Sequence, residues 1–295
     1  MKILVTGALG QLGTWIRRLT AGNNHYIFTD ITPADNVLKL DITNGTEVQS
    51  FVRNNNIGLI VNCAAYTNVE KAEDDVETCF RINRDGPANL AQAMASVGGT
   101  LIHISTDYVF SGKNDSRPLL EDDCPEPLGI YGKSKLAAEE AIRDSRCKYL
   151  IFRTAWLYSE FGRNFVKTMM SLMKEGKAIK VVNDQWGSPT YARDLAEAIV
   201  QIISSGKSSV NSGIWHFTDE GATTWFDFAK EISAIGEYAS CSITPCSTKE
   251  YPTKAARPAY SVLDKSKFKR TFDSEIPQWR ESLKKCMDNI REWKI

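Results

Sequence analysis

Lys2-Ile-Leu-Val-Thr6-Gly7-Ala8-Leu9-Gly10-Gln11-Leu12-Gly13 opens the chain and decides its fold class. The apolar run over 2–6 is short, as a strand buried on both faces would be. Three glycines follow it at once, and a helical stretch continues to about residue 20. Glycine permits a tight turn and lets the backbone approach a pyrophosphate closely. The helix N-terminus behind the turn offers free N–H donors and a favourable dipole. The spacing, G-x-x-G-x-x-G, is one residue longer than the usual dinucleotide turn. Gly7, Gly10, Gln11, Leu12 and Gly13 are therefore candidate cofactor-binding residues.

The pattern outward from this turn alternates. Strands are expected over 25–30, 59–63, 100–104 and 149–153, and helices over 44–54, 76–96 and 131–143. Strands alternating with helices predict an α/β fold: a Rossmann-like, doubly wound parallel sheet. The rhythm changes after Trp156. Helices are expected over 165–173, 190–204, 224–235 and 277–293, strands over 179–182 and 214–217, and a flexible turn over 206–213. This predicts a dinucleotide-binding domain over 1–156, with a segment near 179–204 returning to it. Residues 157–295 would form mainly a smaller, interleaved α/β substrate-binding lobe. The polar segment 111–123 reads as a loop able to close over the site.

The composition limits the partners. The 295 residues carry 36 Lys plus Arg against 36 Asp plus Glu, so no global field attracts nucleic acid or an anionic membrane. No apolar stretch reaches the length of a membrane span, and the opening run is too short for a signal peptide. The seven cysteines are scattered without a metal-ligand spacing, which suits reduced thiols in a cytoplasmic protein.

Further residues mark the two ends of a cleft. Asp30 ends the second expected strand, where an acidic side chain grips a ribose 2′-hydroxyl. No cation stands at positions 8, 9, 11 or 12, which leans toward NADH. Asp41 and Ile42 sit where an adenine edge is commonly met. Asn62-Cys-Ala64-Ala65-Tyr66 follows the next strand with small residues that allow close packing on a cofactor. Ser105-Thr106-Asp107 follows the strand after that, and strand C-terminal ends are where such sheets bind ligands. A hydroxyl there can steady a carbonyl oxygen as charge develops. Tyr131 and Lys135 lie four apart on one helical face. An ammonium there would lower the phenol's ordinary pKa of about 10. Together they suggest ketone reduction: Thr106 orients the carbonyl, Tyr131 protonates the new alkoxide, and Lys135 holds the ribose and tunes Tyr131.

Thr6-Gly7-x-x-Gly10-x-x-Gly13 and Tyr131-x-x-x-Lys135 resemble the signatures of the extended short-chain dehydrogenase/reductase superfamily. Six finer motifs resemble its dTDP-4-dehydrorhamnose reductase family. They are Asn62-Cys-Ala-Ala-Tyr-Thr67-Asn-Val-Glu-Lys-Ala-Glu73, Ser105-Thr-Asp-Tyr-Val-Phe110, Tyr131-Gly-Lys-Ser-Lys-Leu136, Phe152-Arg-Thr-Ala-Trp-Leu-Tyr158, Asn183-Asp-Gln-Trp-Gly-Ser-Pro-Thr190 and Arg257-Pro-x-x-Ser-x-Leu-Asp264. The resemblance implies reduction of the C4 ketone of dTDP-4-dehydro-L-rhamnose with NADPH or NADH, in nucleotide-sugar synthesis for surface polysaccharide. It implies catalytic roles for Thr106, Tyr131 and Lys135 and a sugar-stacking role for Trp156. Asp107, Asn164 and Gln185 become candidate contacts to the nucleotide sugar, and Arg257 to its diphosphate, since Arg forks onto phosphate oxygens.

Some members of that family are magnesium-dependent dimers with acidic residues on the dimer surface. Here Trp15 and Arg17-Arg18 stand on the first helix. No metal is expected, and the chain is expected to be a monomer or homodimer. A dehydratase would carry an Asp-Glu pair after the Thr, whereas Asp107-Tyr108 follows Thr106. A 4-epimerase or another sugar-nucleotide ketone reductase shares the same cluster. The rival of another class is a regulatory subunit resembling the β subunit of methionine adenosyltransferase, which binds nucleotide without turnover. Trp156, the 185–190 loop and Arg257 favour the reductase.

Overall fold

Ile3, Leu4 and Val5 are all buried, and successive side chains of a strand point to opposite faces. Strand β1 (Lys2–Thr6) therefore needs apolar cover on both sides, which only a central strand receives. The computed structural model describes residues 2–113, 117–176, 178–238 and 241–293. In it β1 lies inside a seven-stranded sheet with β2 (Tyr26–Asp30), β3 (Leu38–Lys39), β4 (Ile57–Asn62), β5 (Thr100–Thr106), β6 (Lys148–Thr154) and β7 (Gly213–His216). The order is β7-β6-β5-β4-β1-β2-β3, and every pairing is parallel. Chain order reverses between β1 and β4, so the strand ends there open a crevice.

The two faces are told apart by alternation. Ile3, Val5, Leu59, Val61 and Ile102 join one core cluster, under helices Gln11–Leu19 and Ala192–Ser204. Leu4, Ile60, Leu101 and Ile151 join the other, under helices Gly45–Asn54 and Gly86–Val97. The first cluster continues without a break into helices Phe165–Lys174, Trp225–Gly236 and Trp279–Trp293. These later helices thus share the core on one face of the sheet.

Several expected elements take a different form. The helix expected over 76–96 is divided: Val76–Phe80, a wider π turn over Arg81–Asp85, then Gly86–Val97. Pro87, which has no N–H, stands at the start of the last piece, so the regular ladder cannot run through. The turn expected over 206–213 contains the short helix Lys207–Val210, entered from Gly206 at φ +74 and closed by Asn211 Nδ2 donating to the Lys207 carbonyl. Of the segment near 179–204, Ala192–Ser204 lies against Gln11–Leu19, whereas Ile179–Val182 pairs in parallel with Ile243–Cys246 in a sheet of its own. That partner strand, the helices Val69–Ala72 and Ser266–Phe272, and the two-residue β3 had no strong signal in the sequence. Residues 114–116 of the loop expected over 111–123 lie outside the described residues. Among the described residues no helix is long and apolar enough to cross a membrane.

Candidate active site

The glycine turn is built by contact. Gly7 has φ +64, and a Cβ there would stand 2.5 Å from the Ala64 nitrogen at the end of β4. A Cβ on Gly13 would stand 2.3 Å from the Gly7 oxygen, so the helix can press on the strand only through glycine. The first helical turn after Gly10 carries no acidic residue and no side-chain cap, leaving its amides for an anion. This cradle fits the pyrophosphate of a dinucleotide. Leu12 is buried beneath the turn. Gln11 Oε1 accepts from Ser159 Oγ at 3.1 Å and from Asn164 Nδ2 at 3.0 Å.

Two adjoining cavities follow the C-terminal edge of the sheet, and a third opens beside them. One of about 530 Å³ is lined by Gly7, Asp30, Asp41, Ile42, Ala64 and Ala65. Asp30 Oδ2 there accepts the Leu9 amide at 3.0 Å, so its carboxylate braces the glycine turn. Arg81 lines the same cavity, a cation that inspection of the turn alone could not find. Asp41 Oδ1 accepts from Thr43 N at 2.9 Å and shapes the turn carrying Ile42. Tyr66 points elsewhere: its hydroxyl donates to Asp75 Oδ2 at 3.3 Å, and its amide to Asn83 Oδ1 at 2.8 Å.

The next cavity, about 550 Å³, shares Ala64 and Ala65 with the first and brings together Gly10, Gly13, Thr106, Asp107, Tyr131, Lys135 and Trp156. Thr106 ends β5 and accepts the Tyr108 amide at 3.2 Å. Helix Ile130–Asp144 starts against it, because a Cβ on Gly132 would stand 2.2 Å from the Tyr108 oxygen. Glu73 Oε1 accepts the Ile130 amide at 2.8 Å, a carboxylate seated at the positive end of that helix. The Tyr131 hydroxyl hydrogen-bonds the Thr106 side chain. Lys135 is 2% exposed, and its Nζ donates to the Ile104 oxygen at 2.6 Å.

The expected lowering of the Tyr131 pKa by Lys135 is corrected here. Burial, the largest influence, pushes the Tyr131 phenol up, and nearby Asp107 adds to the rise. Lys135 is itself pulled down to about 8 by burial, against the opposing pull of Glu139. Desolvation penalises the charged form of each. Tyr131 thus stays protonated, which is what a proton donor requires. Burial also raises Asp107 to about 6, and Thr106 Oγ1 donates to its Oδ1 at 3.1 Å.

Trp156 has a left-handed backbone, φ +49, just past β6. One ring face stacks on Trp225 at 3.6 Å and 11°, and a Cβ on Gly187 would stand 2.6 Å from the indole. The ring is thereby fixed in the cleft wall. A third cavity, about 610 Å³, meets the second at Tyr108 and is lined by Phe165, Lys180, Gln185, Trp225, Tyr251 and Arg257 among others. Arg257 Nη2 donates to Glu70 Oε1 at 2.6 Å, and Gln185 Nε2 to Thr248 Oγ1 at 3.0 Å. Asn164 is not brought to this cavity. It caps helix Phe165–Lys174 by accepting from Lys167 N at 3.1 Å, and its Nδ2 donates to the Ser159 oxygen at 2.7 Å and to Gln11. Among the described residues no cluster of His, Cys, Asp and Glu could hold a metal ion.

The family model described as the RmlD substrate binding domain matches residues 1–292. A dTDP-4-dehydrorhamnose reductase of Salmonella typhimurium is 38% identical over 297 aligned positions, covering 98% of each chain. The crystal structure of a dTDP-4-dehydrorhamnose reductase from Clostridium acetobutylicum superposes with a TM-score of 0.91 at 42% identity, over 99% of this chain and all of the other. That of a dTDP-4-dehydrorhamnose reductase from Bacillus anthracis in complex with NADP gives 0.88 at 37% identity, over 98% of this chain and all of the other. Coverage end to end at these identities admits one conclusion: the chain belongs to the dTDP-4-dehydrorhamnose reductase family.

Proposed function

We infer that the chain reduces the C4 ketone of dTDP-4-dehydro-L-rhamnose to dTDP-L-rhamnose with NADPH or NADH. The observation that carries this reading is the shared cleft of Thr106, Tyr131 and Lys135 beside the glycine cradle, in a chain of this family. The reduced nicotinamide supplies the hydride that reaches C4. The Thr106 hydroxyl bonds the ketone oxygen and fixes its orientation. Tyr131 gives its proton to that oxygen as charge develops, so C=O becomes CH–OH. Lys135 orients the ribose. Gly7, Gly10 and Gly13 approach the pyrophosphate, and Asp30, Asp41 and Ile42 line the adenosine end. Trp156 presents its ring to the sugar, Gln185 meets the nucleotide sugar, and Arg257 serves its diphosphate. Arg257 already binds a carboxylate oxygen, the same kind of anionic acceptor as a phosphate oxygen.

In this reading residues 1–156 form the cofactor half, and the later segments complete the substrate side. The third cavity, with Arg257 and Gln185 beside Trp225, favours a working reductase over a regulatory subunit, which would need no second nucleotide-sized space. The test is oxidation of NADPH and NADH by purified protein supplied with enzymatically generated dTDP-4-dehydro-L-rhamnose. Tyr131→Phe should lower kcat by a factor on the order of 10²–10⁴ and leave cofactor titration unchanged. Near-wild-type turnover would remove Tyr131 from the acid role.

A further inference from the structure

A line of buried polar side chains runs from β1 to Lys135: Thr6, Asn62, His103, Lys135. Its hydrogen bonds fix the direction of every proton in it. The Ala64 amide, which can only donate, meets Asn62 Oδ1 at 3.2 Å, and Thr6 Oγ1 donates to the same oxygen at 2.6 Å. That settles the flip of the Asn62 amide. Its Nδ2 therefore faces His103 Nδ1, at 3.0 Å, and Nδ2 has only hydrogens to offer. Nδ1 must then be the accepting nitrogen. His103 is wholly buried, and burial next to Lys135 pushes its pKa well below 6.5, so the ring is neutral. A neutral imidazole with an accepting Nδ1 carries its single proton on Nε2. Nε2 stands 3.4 Å from Lys135 Nζ.

An ammonium has three hydrogens and no lone pair, so an N–H aimed at it is donor against donor. An amine can accept that hydrogen and still donate to the Ile104 oxygen. Other groups also face Lys135. Glu139, one turn further along the same helix, favours the ammonium; its carboxylate is held by Arg153 and Ser105. The Cys79 thiol, from the helix Val76–Phe80, is pushed up by burial and stays neutral near neutral pH. Tyr131, one turn earlier, is a protonated phenol. Against these, His103 directs an N–H hydrogen at Nζ.

We propose that His103 is a positioning residue whose Nε2–H, fixed by Asn62, favours the amine form of Lys135 and sets the pH at which Lys135 changes charge. This rests on the reading of Lys135 as part of the reduction machinery, but its first test does not need turnover. The chain has three histidines, so ¹⁵N-histidine labelling gives a resolvable long-range ¹H–¹⁵N spectrum, with His103→Phe assigning the signal. The protonated nitrogen should be Nε2 across neutral pH. A proton on Nδ1, or an imidazolium, would overturn the proposal whatever the enzyme turns over. The second test is the pH dependence of kcat for His103→Phe. Loss of one hydrogen bond to the amine should move the Lys135-dependent limb upward by roughly 0.5–1 pH unit. A ring that only fills space would lower kcat equally at all pH values, and an unmoved limb with Nε2 protonated would refute the tuning role. If the Phe variant does not fold, the wild-type spectrum still decides the tautomer. The same limb read in His103→Leu, which also has no N–H to offer, then decides the tuning: the wild-type position would refute it.

Discussion

Glu139→Ala should be among the costliest single changes in this chain, and the cost can be worked from its contacts. Glu139 is 1% exposed and its partner Arg153 is 2% exposed. The carboxylate accepts from Arg153 Nη2 at 2.7 Å, from Arg153 Nε at 3.0 Å, and from Ser105 Oγ at 2.5 Å. Removing it leaves a buried guanidinium with the Glu121 main-chain carbonyl oxygen at 3.2 Å and the Phe110 ring at 5.0 Å, neither of them an opposite charge. Breaking a buried pair from one side costs about 3–5 kcal/mol. Whole domains are stable by only about 5–15 kcal/mol. The melting temperature should fall by roughly 6–20 °C, at roughly 2–4 °C per kcal/mol for a chain of this size. Urea unfolding followed by tryptophan fluorescence measures the same loss. The double change Glu139→Leu with Arg153→Met removes both charges and should recover most of it. A loss below about 1 kcal/mol in Glu139→Ala would refute the argument, because the guanidinium would then have found another partner or water. A second consequence separates charge from packing. Glu139 holds Lys135 up, so Glu139→Gln should move the Lys135 limb of the pH profile downward, opposite in sign to His103→Phe.

Three further outcomes test the site and the second lobe. Trp156→Ala should raise KM for the sugar nucleotide about tenfold while changing cofactor affinity little if, as proposed, its ring faces the sugar; an unchanged KM would leave Trp156 as packing for Trp225. Gly13→Ala should abolish cofactor binding in a fluorescence titration, because its Cβ would overlap the Gly7 oxygen; retained affinity would show that the turn can open. Asp219 and Asp194 are raised by burial, Asp194 to about 6 and Asp219 well above its usual range. Stability from raised carboxyls is present at low pH and lost as pH rises through their folded pKa values. Asp219→Asn keeps an oxygen for the Tyr191 amide and should raise the melting temperature at about pH 8, flattening its fall from about pH 6. An equal slope in the variant would refute the assignment.

The sheet and the cleft were legible because their signals are local. The glycine run sits between strand and helix, and Tyr131 and Lys135 lie on one helical face. The residues that set the environment of that pair were not legible, for they belong to three other elements. His103 is one apolar-strand residue among several until Asn62 on β4 and Lys135 on the helix close around it. Glu73 reads as one acid in a charged stretch until its carboxylate meets the Ile130 amide. The direction of the Tyr131 shift is set by burial. Spacing shows that a lysine is one turn away, but not that burial is the largest influence on the phenol.

Two periodicities meeting at one edge account for most of the site. Along β5 the alternation sends Leu101, His103 and Ser105 to one side, and Lys135 and Glu139 of the helix Ile130–Asp144 meet the last two. Tyr131, Lys135 and Glu139 are spaced by four, so the helix offers them as three successive rungs. Each rung has its own partner: Thr106 for Tyr131, His103 and the Ile104 oxygen for Lys135, Ser105 and Arg153 for Glu139. The top rung is a protonated phenol facing the cleft, and the bottom is a carboxyl side chain paired with Arg153 deep in the core. Lys135 stands between them, pulled toward the ammonium by Glu139 and toward the amine by burial and, as proposed, by the His103 N–H. A charge state set by two opposed neighbours responds to small changes in either. That is why the two substitutions on either side of Lys135 are expected to shift its titration in opposite directions without touching Tyr131 or Thr106.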